Sequence, residues 1–109
     1  MVYNFGEIEE QVIPNFKGGE KYAKAKFVGD EKAKILHGIL EPGCSIGIHE
    51  HIGECEIVYC ISGQATVYMD GKSEILKPGM CHYCPDGHMH GMKNEGTEDF
   101  EMFAVVPKQ

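Results

Sequence analysis

Turn signals recur at short intervals along the chain, and this spacing constrains the fold more than any other feature. The 109 residues include 14 glycines and 5 prolines, and Asp70-Gly71 has the composition of a two-residue hairpin turn. No segment keeps a 3.6-residue apolar period for long enough to form a long helix. Further turns are predicted at Gly29-Asp30-Glu31, Glu41-Pro42-Gly43, Lys77-Pro78-Gly79 and Asn94-Glu95-Gly96. Short, evenly spaced strands of this kind predict an all-β sandwich, barrel or jelly roll.

Apolar and polar residues alternate between the turns. In segment 65–69, alanine, valine and methionine would face one side of a strand, and threonine and tyrosine the other. The same alternation predicts half-buried strands within 23–27, 33–39 and 100–106. The length suits one domain spanning 1–109, in which 1–20 would form a loop or a loosely held edge strand.

The charge of the chain excludes some partners. The formal net charge is −7, and all ten basic residues are lysines. Nucleic-acid binding needs clustered cations, so we expect no nucleic-acid partner. Without arginine there is no planar bidentate clamp for a carboxylate or phosphate. An anionic ligand would therefore depend on a metal ion, a lysine or backbone N–H groups.

The sequence also predicts a cytoplasmic protein with no membrane partner. No apolar run is long enough to span a bilayer, and Met1–Glu10 is acidic and polar, without the apolar core of a signal peptide. The five cysteines are accordingly interpreted as reduced thiols rather than as a disulfide framework.

Four residues have the chemistry of a metal site. His49 and His51 would share one face of a strand, so both imidazoles can reach one ion. Glu56 begins the next apolar run, and it would add a carboxylate oxygen if that run pairs antiparallel with the histidine strand. His90 follows the turn Pro85-Asp86-Gly87. Three imidazoles and one carboxylate suit one divalent Mn, Fe, Co, Ni, Cu or Zn ion better than Mg or Ca.

Segment 43–94 resembles the two sequence motifs of the cupin superfamily, and in particular its small single-domain members. The first motif is matched by Gly43, His49, His51, Glu56 and Gly63. The second motif is matched by Gly79, Pro85, Gly87, His90 and Asn94. Two residues depart from the common pattern, Met80 and Cys84, and neither occupies a ligand position.

The resemblance implies a fold, a ligand set and an assembly. The fold is a single antiparallel barrel of six to eight strands, also described as a double-stranded β-helix or jelly roll. The implied metal ligands are His49, His51, Glu56 and His90, which stand at the ligand positions of the motifs. Small cupins of this kind form homodimers, and the N-terminal segment together with 23–28 is the predicted interface.

Other residues with reactive side chains have simpler interpretations. His88 is interpreted as a solvated loop histidine, with a role beside the metal as the alternative. His37 and His82 are interpreted as structural strand residues. Cys81 and Cys84 would point to opposite faces of a strand, which favours packing over a disulfide or a zinc site. Cys60 shares the parity of Glu56, so it would point inward and fill space.

Two hypotheses for the function remain open, and the first is the favoured one. In the first, the chain is a metalloenzyme whose ion acts as a Lewis acid on a small polar substrate, either a sugar or a keto or hydroxy acid. Its catalytic residues are unknown, but Glu50, Tyr59, Tyr83 and His88 have suitable chemistry for proton transfer. In the second, the chain is a non-catalytic module that binds a metal or small ligand inside the barrel. A cavity with few convergent polar groups would favour the second hypothesis.

Overall fold

The computed structural model describes all 109 residues, which form ten strands and two single-turn 3₁₀ helices. The 3₁₀ helices are Phe5–Glu7 and Phe16–Gly18. The strands are β1 (Gln11–Pro14), β2 (Tyr22–Gly29), β3 (Ala33–Leu40), β4 (Ser45–Glu50), β5 (Glu56–Ser62), β6 (Ala65–Met69), β7 (Lys72–Leu76), β8 (Cys81–Cys84), β9 (Met89–Lys93) and β10 (Phe100–Pro107). None of the helices has the length and apolar character that a membrane span requires.

The strands form two antiparallel sheets, as expected for a jelly roll. The six-stranded sheet has the order β1-β2-β3-β10-β5-β8, and the four-stranded sheet has the order β4-β9-β6-β7. The prediction of an all-β antiparallel fold is confirmed. The two sheets are not joined by hydrogen bonds into one continuous barrel, and each keeps two free edges, at β1 and β8 and at β4 and β7.

The alternating segments form strands, as predicted. β2, β3, β6 and β10 cover the four segments that alternate, and every second residue of β10 is buried, from Phe100 to Val106. Asp70 and Gly71 both have positive φ, 52° and 79°, and connect β6 to β7 as a tight hairpin. Two residues of positive φ suit the right-handed twist of the flanking strands.

The sequence suggested that the strand beginning at Glu56 could pair with the strand that carries His49. The structure shows that these two strands do not pair. β4 pairs with β9 in the four-stranded sheet, whereas β5 lies between β10 and β8 in the six-stranded sheet. The chain therefore crosses from one sheet to the other between His51 and Glu56. In this position the apolar run 57–61 has a hydrogen-bonded strand on each side. Pairing with β4 alone would leave one of its edges without a partner. Neighbouring strands in sequence often pair, so the sequence favoured the wrong partner.

The core lies between the sheets. Fourteen buried apolar residues form one cluster, with Phe100 and Leu40 fully buried at its centre. Asn94, also fully buried, donates hydrogen bonds to the carbonyls of Leu40 and Glu98 and accepts one from the Gly96 amide. The side chain of Asn94 thus ties the end of β9 to β3 and to the turn that leads into β10.

We expect Gly63→Ala to destabilise the fold much more than Gly71→Ala. Both glycines have positive φ, so alanine costs about 1 kcal/mol at either position. A Cβ at residue 63 would also lie 2.1 Å from the backbone oxygen of Asp99, while a Cβ at residue 71 would meet nothing within 4 Å. Urea unfolding should give a loss above about 3 kcal/mol for Gly63→Ala. Equal losses in the two variants would contradict the close approach of these backbones.

Candidate metal centre

Both sheets contribute to one cluster of potential ligands. His49 on β4 lies directly opposite His90 on β9, and His51 follows the end of β4. Glu56, the first residue of β5, comes from the facing sheet. The ligand atoms of the four residues all lie within 4.8 Å of one another. The structure therefore brings together the four residues that the sequence singled out.

The side chains of the cluster approach one another through their Nε2 and carboxylate oxygen atoms. The Nε2 atoms of His51 and His90 are 3.0 Å apart, and the Oε1 atom of Glu56 lies 3.2 Å from the first and 2.8 Å from the second. The ring centroid of His49 lies 4.8 Å from each of the other two rings. His90 is fully buried, His51 and Glu56 are nearly so, and His49 is half-buried.

Each histidine of the cluster is held through its other nitrogen. The Nδ1 atom of His49 lies 2.8 Å from the carbonyl oxygen of Gly47, that of His51 lies 2.6 Å from Oε2 of Glu54, and that of His90 lies 2.9 Å from Nε2 of His82. A carbonyl only accepts, so His49 carries its proton on Nδ1 and its Nε2 lone pair is free. Hydrogen bonds of this kind orient the imidazoles of metal sites. The donor set therefore fits a divalent transition metal.

Sequence reasoning missed two residues that support the cluster. His82 was interpreted as a structural strand residue, and it is stacked on the ring of His90 at 5.1 Å as well as hydrogen-bonded to it. The inward parity of His82 on β8 was the available signal. Glu54 was not considered, although it follows His51 by only three residues. Lys108 contacts its other oxygen at 3.2 Å, so the C-terminus helps to hold this carboxylate.

The surroundings determine the charge of the cluster. Burial alone would raise the pKa of Glu56, but hydrogen bonds from His51 and His90 lower it to about 2, so the carboxylate is ionised at neutral pH. Burial lowers the pKa of His49, and it lowers that of His82 to about 4, with His90 acting in the same direction. Both imidazoles are therefore neutral at physiological pH, the state in which a histidine nitrogen accepts a hydrogen bond or binds a metal.

A small cavity of about 70 Å³ opens beside the cluster. Eighteen residues line it, of which 11 are hydrophobic, and they include Met92 and Met102 from the core. The polar side chains are those of His49, His51 and Glu56 from the cluster, together with Glu54 and three lysines. The cavity thus has an ionisable end at the cluster and an apolar remainder.

The residues predicted as candidates for proton transfer lie elsewhere. Tyr59 and Tyr83 are 46% and 51% exposed on the outer face of the six-stranded sheet, and Glu50 is also exposed. His88 is exposed and pairs with Asp70 at 2.6 Å, as expected for a solvated loop histidine. None of the four lines the cavity at the cluster.

The cysteines do not join the cluster. All five are free thiols. Cys60 is fully buried, and its Sγ contacts the backbone oxygens of Ser62 and Gly63, so it fills space as predicted. Cys84 is buried and Cys81 is exposed, on opposite faces of β8, which agrees with packing rather than with a disulfide.

The pKa of Glu56 predicts how acid affects the metal-free protein. A carboxyl whose pKa is lowered on folding stabilises the fold above its unfolded pKa, and this contribution is lost as the pH falls towards the folded value. Wild type should therefore exceed Glu56→Gln in stability at pH 5 by up to about 3 kcal/mol, and the difference should shrink towards pH 2. Urea unfolding across this range measures it, with the exposed Glu50→Gln as the control. A difference that does not change with pH would contradict an ionised Glu56.

Comparison with known proteins agrees with this architecture. A relative from Thermotoga maritima described as an oxalate-binding protein is 32% identical over 112 residues, covering 97% of this chain and 93% of the relative. A crystal structure from the same organism, described as a predicted oxalate decarboxylase, is 30% identical, with a TM-score of 0.94 over the whole of both chains.

More distant structures share the fold alone. A sugar phosphate isomerase from Silicibacter pomeroyi is 18% identical and has a TM-score of 0.81, covering 100% of this chain and 76% of its own. The family model for the cupin domain matches residues 28–106, which include the four-stranded sheet, most of the six-stranded sheet and all four residues of the cluster. The two sheets, the position of the cluster between them and this match show that the chain belongs to the cupin family.

Proposed function

We propose that the chain binds one divalent transition metal, of the group Mn, Fe, Co, Ni, Cu and Zn, through His49, His51, Glu56 and His90. The observation that carries the proposal is the orientation of the three imidazoles. Their Nδ1 atoms are engaged, the Nε2 atoms of His51 and His90 lie within 3.2 Å of one carboxylate oxygen, and the ligand atoms of all four residues lie within 4.8 Å of one another. A bound ion would supply Lewis acidity at coordination positions that the four side chains leave open.

The ligand proposed for this centre is a small chelating carboxylate such as oxalate. The cavity beside the cluster is small, at about 70 Å³, and no arginine is present to bind an anion. A carboxylate would therefore depend on the ion, with Lys17 and Lys34 on the cavity wall as the nearby cations. Neither lysine forms an ion pair with the protein's own carboxylates. The description of the Thermotoga maritima relative as oxalate-binding supports the same class of ligand.

Binding without turnover is the function that the cavity supports best. The wall is largely apolar, and the four groups that the sequence suggested for proton transfer are exposed elsewhere. A metalloenzyme acting on a sugar or on a keto, hydroxy or dicarboxylic acid is the second candidate. Glu54 favours it, because this carboxylate lines the cavity. Both of its oxygens are engaged, one by His51 and one by Lys108, which favours an orienting role instead.

Elemental analysis and calorimetry test the proposed centre. We expect about one divalent ion per chain in wild type, and a loss of metal affinity of more than about 100-fold in His51→Ala, because one of the four ligands is removed. The control Glu50→Gln, next to His51 but exposed, should bind the ion as wild type does. An absence of metal from wild type after reloading under reducing conditions would contradict the proposal.

The same preparations separate binding from catalysis. Oxalate should bind the metal-loaded protein and not the metal-free protein, because the ion supplies the attraction that arginine would otherwise give. Oxalate recovered unchanged after long incubation, without formate or carbon dioxide, agrees with a binding module. Turnover that Glu54→Gln abolishes while metal affinity is retained would support the enzyme instead.

A homodimer in the cytoplasm completes the proposal. Five free thiols suit a reducing compartment. The outward residues Ile57, Tyr59, Ile61, Tyr83 and Phe103 form an uncharged face on β5, β8 and β10, which we call the outer apolar face. Two copies that each carry a net charge of −7 can approach most readily through uncharged surface. The predicted interface at β2 is less suitable, because its outward residues include Lys24 and Lys26.

We expect wild type to be dimeric and Tyr59→Lys to be monomeric, because the substitution places two like charges at the centre of the outer apolar face. Sedimentation equilibrium measures the mass of both. Val12→Lys, at an exposed position on β1, should remain dimeric. If Val12→Lys dissociates and Tyr59→Lys does not, the interface lies at the N-terminal segment, and a monomeric wild type contradicts the dimer altogether.

A further inference from the structure

A second cavity lies between the free edges of the two sheets, beside β7 and β8. It has a volume of about 370 Å³, within the usual range for small-molecule pockets and larger than the cavity at the metal cluster. The two cavities have no lining residue in common. The second cavity is therefore a separate space with its own opening.

The walls of the second cavity are apolar inside and polar at the rim. Val67 and Leu76 are buried in its interior, while Met80 is half exposed at its edge. Three charged residues also line the cavity: Asp70, which pairs with His88, and Lys72 and Glu74, which form no ion pair. A space with an apolar interior and few polar groups suits a small, mainly apolar molecule.

His82 connects this cavity to the metal cluster. It lines the second cavity, and its Nε2 atom lies 2.9 Å from Nδ1 of His90. If His90 presents the Nε2 lone pair to an ion, its proton is on Nδ1 and is donated to Nε2 of His82. The proton of the neutral His82 must then be on Nδ1.

The Nδ1 atom of His82 has no hydrogen-bond partner in the protein. The hydrogen bond to His90 is the one that its side chain makes. No fully buried side-chain nitrogen or oxygen atom in the chain lacks a partner, so this Nδ1 atom is accessible. The second cavity is the space that His82 lines, and it offers the donor a place for an acceptor from outside the chain.

We propose that the second cavity binds a small apolar molecule that carries a carbonyl or carboxylate oxygen, which accepts the hydrogen bond from Nδ1–H of His82. The cavity is present without the metal, but the Nδ1–H donor rests on the proposed function, because it requires His90 to present its Nε2 lone pair to an ion. An acceptor on Nδ1–H makes Nε2 of His82 a stronger acceptor for His90. His90 then becomes a better metal ligand, so the two sites are coupled and each occupant favours the other.

Nuclear magnetic resonance of the full chain tests the site with isovalerate and its neutral counterpart isovaleramide as probes. In zinc-loaded wild type, either probe should cause saturable shifts of the methyl signals of Val67, Leu76 and Met80 and of the ring nitrogens of His82. Met80→Trp should remove these shifts by filling the opening, and Val12→Trp, on the exposed edge strand β1, should retain them. An absence of saturable shifts up to the solubility of both probes would overturn the proposal.

Zinc titration in the presence of the bound probe tests the coupling. We expect the zinc affinity of wild type to rise about fivefold, the lower end of usual coupling between sites. In His82→Phe the probe should leave the zinc affinity unchanged, even where the ring-to-ring stacking and the fold are kept. Probe shifts without any change in zinc affinity would overturn the role of His82. Failure to bind zinc at all, with the probe shifts intact, would count against the metal centre and not against the second cavity.

Discussion

The structure depends on one buried carboxylate that joins the two sheets. Glu56 belongs to β5 of the six-stranded sheet, and its Oε1 atom contacts the imidazoles of His51 and His90, which the four-stranded sheet positions. A buried charge without partners costs several kcal/mol, so β5 and β9 must approach closely enough to satisfy it. No hydrogen-bonded strand pairing joins the sheets at this point, and the contact between these side chains takes its place.

Around this contact, hydrogen bonds to the imidazoles orient the side chains of the cluster. A backbone carbonyl, a carboxylate and a second histidine each engage the Nδ1 atom of one imidazole. The four side chains that could hold an ion are thereby already arranged in the fold, which would reduce the entropy lost if an ion binds. The same arrangement extends outward, through Glu54 to Lys108 at the C-terminus and through His82 to the second cavity. A substitution at Lys108 or a ligand in the second cavity can therefore affect the orientation of the imidazoles without contacting the cluster directly.

The sequence predicted those features that short-range rules govern. Alternation located β2, β3, β6 and β10, and Asp70-Gly71 predicted the hairpin, because side-chain parity and turn geometry depend on a few neighbouring residues. The four residues of the cluster were found by their chemistry and by their match to the cupin motifs. The suggested pairing of β5 with β4 was wrong, since pairing depends on which distant strands compete for each edge. His82 and Glu54 were missed because nothing in local spacing distinguishes a residue that supports a ligand from an ordinary polar residue.

By itself the sequence determined that this chain forms an all-β jelly roll of the cupin family, and it named the four residues that come together. Those properties follow from periodicity, turn composition and residue chemistry, which can be determined from residues close together in the sequence. Only the tertiary structure decided that Glu56 faces the histidines from the opposite sheet, that the candidates for proton transfer lie outside the cavity, and that His82 stands between the cluster and a second cavity. These depend on how distant segments pack, because the distance between two side chains across a core is set by the whole fold and not by their separation in sequence.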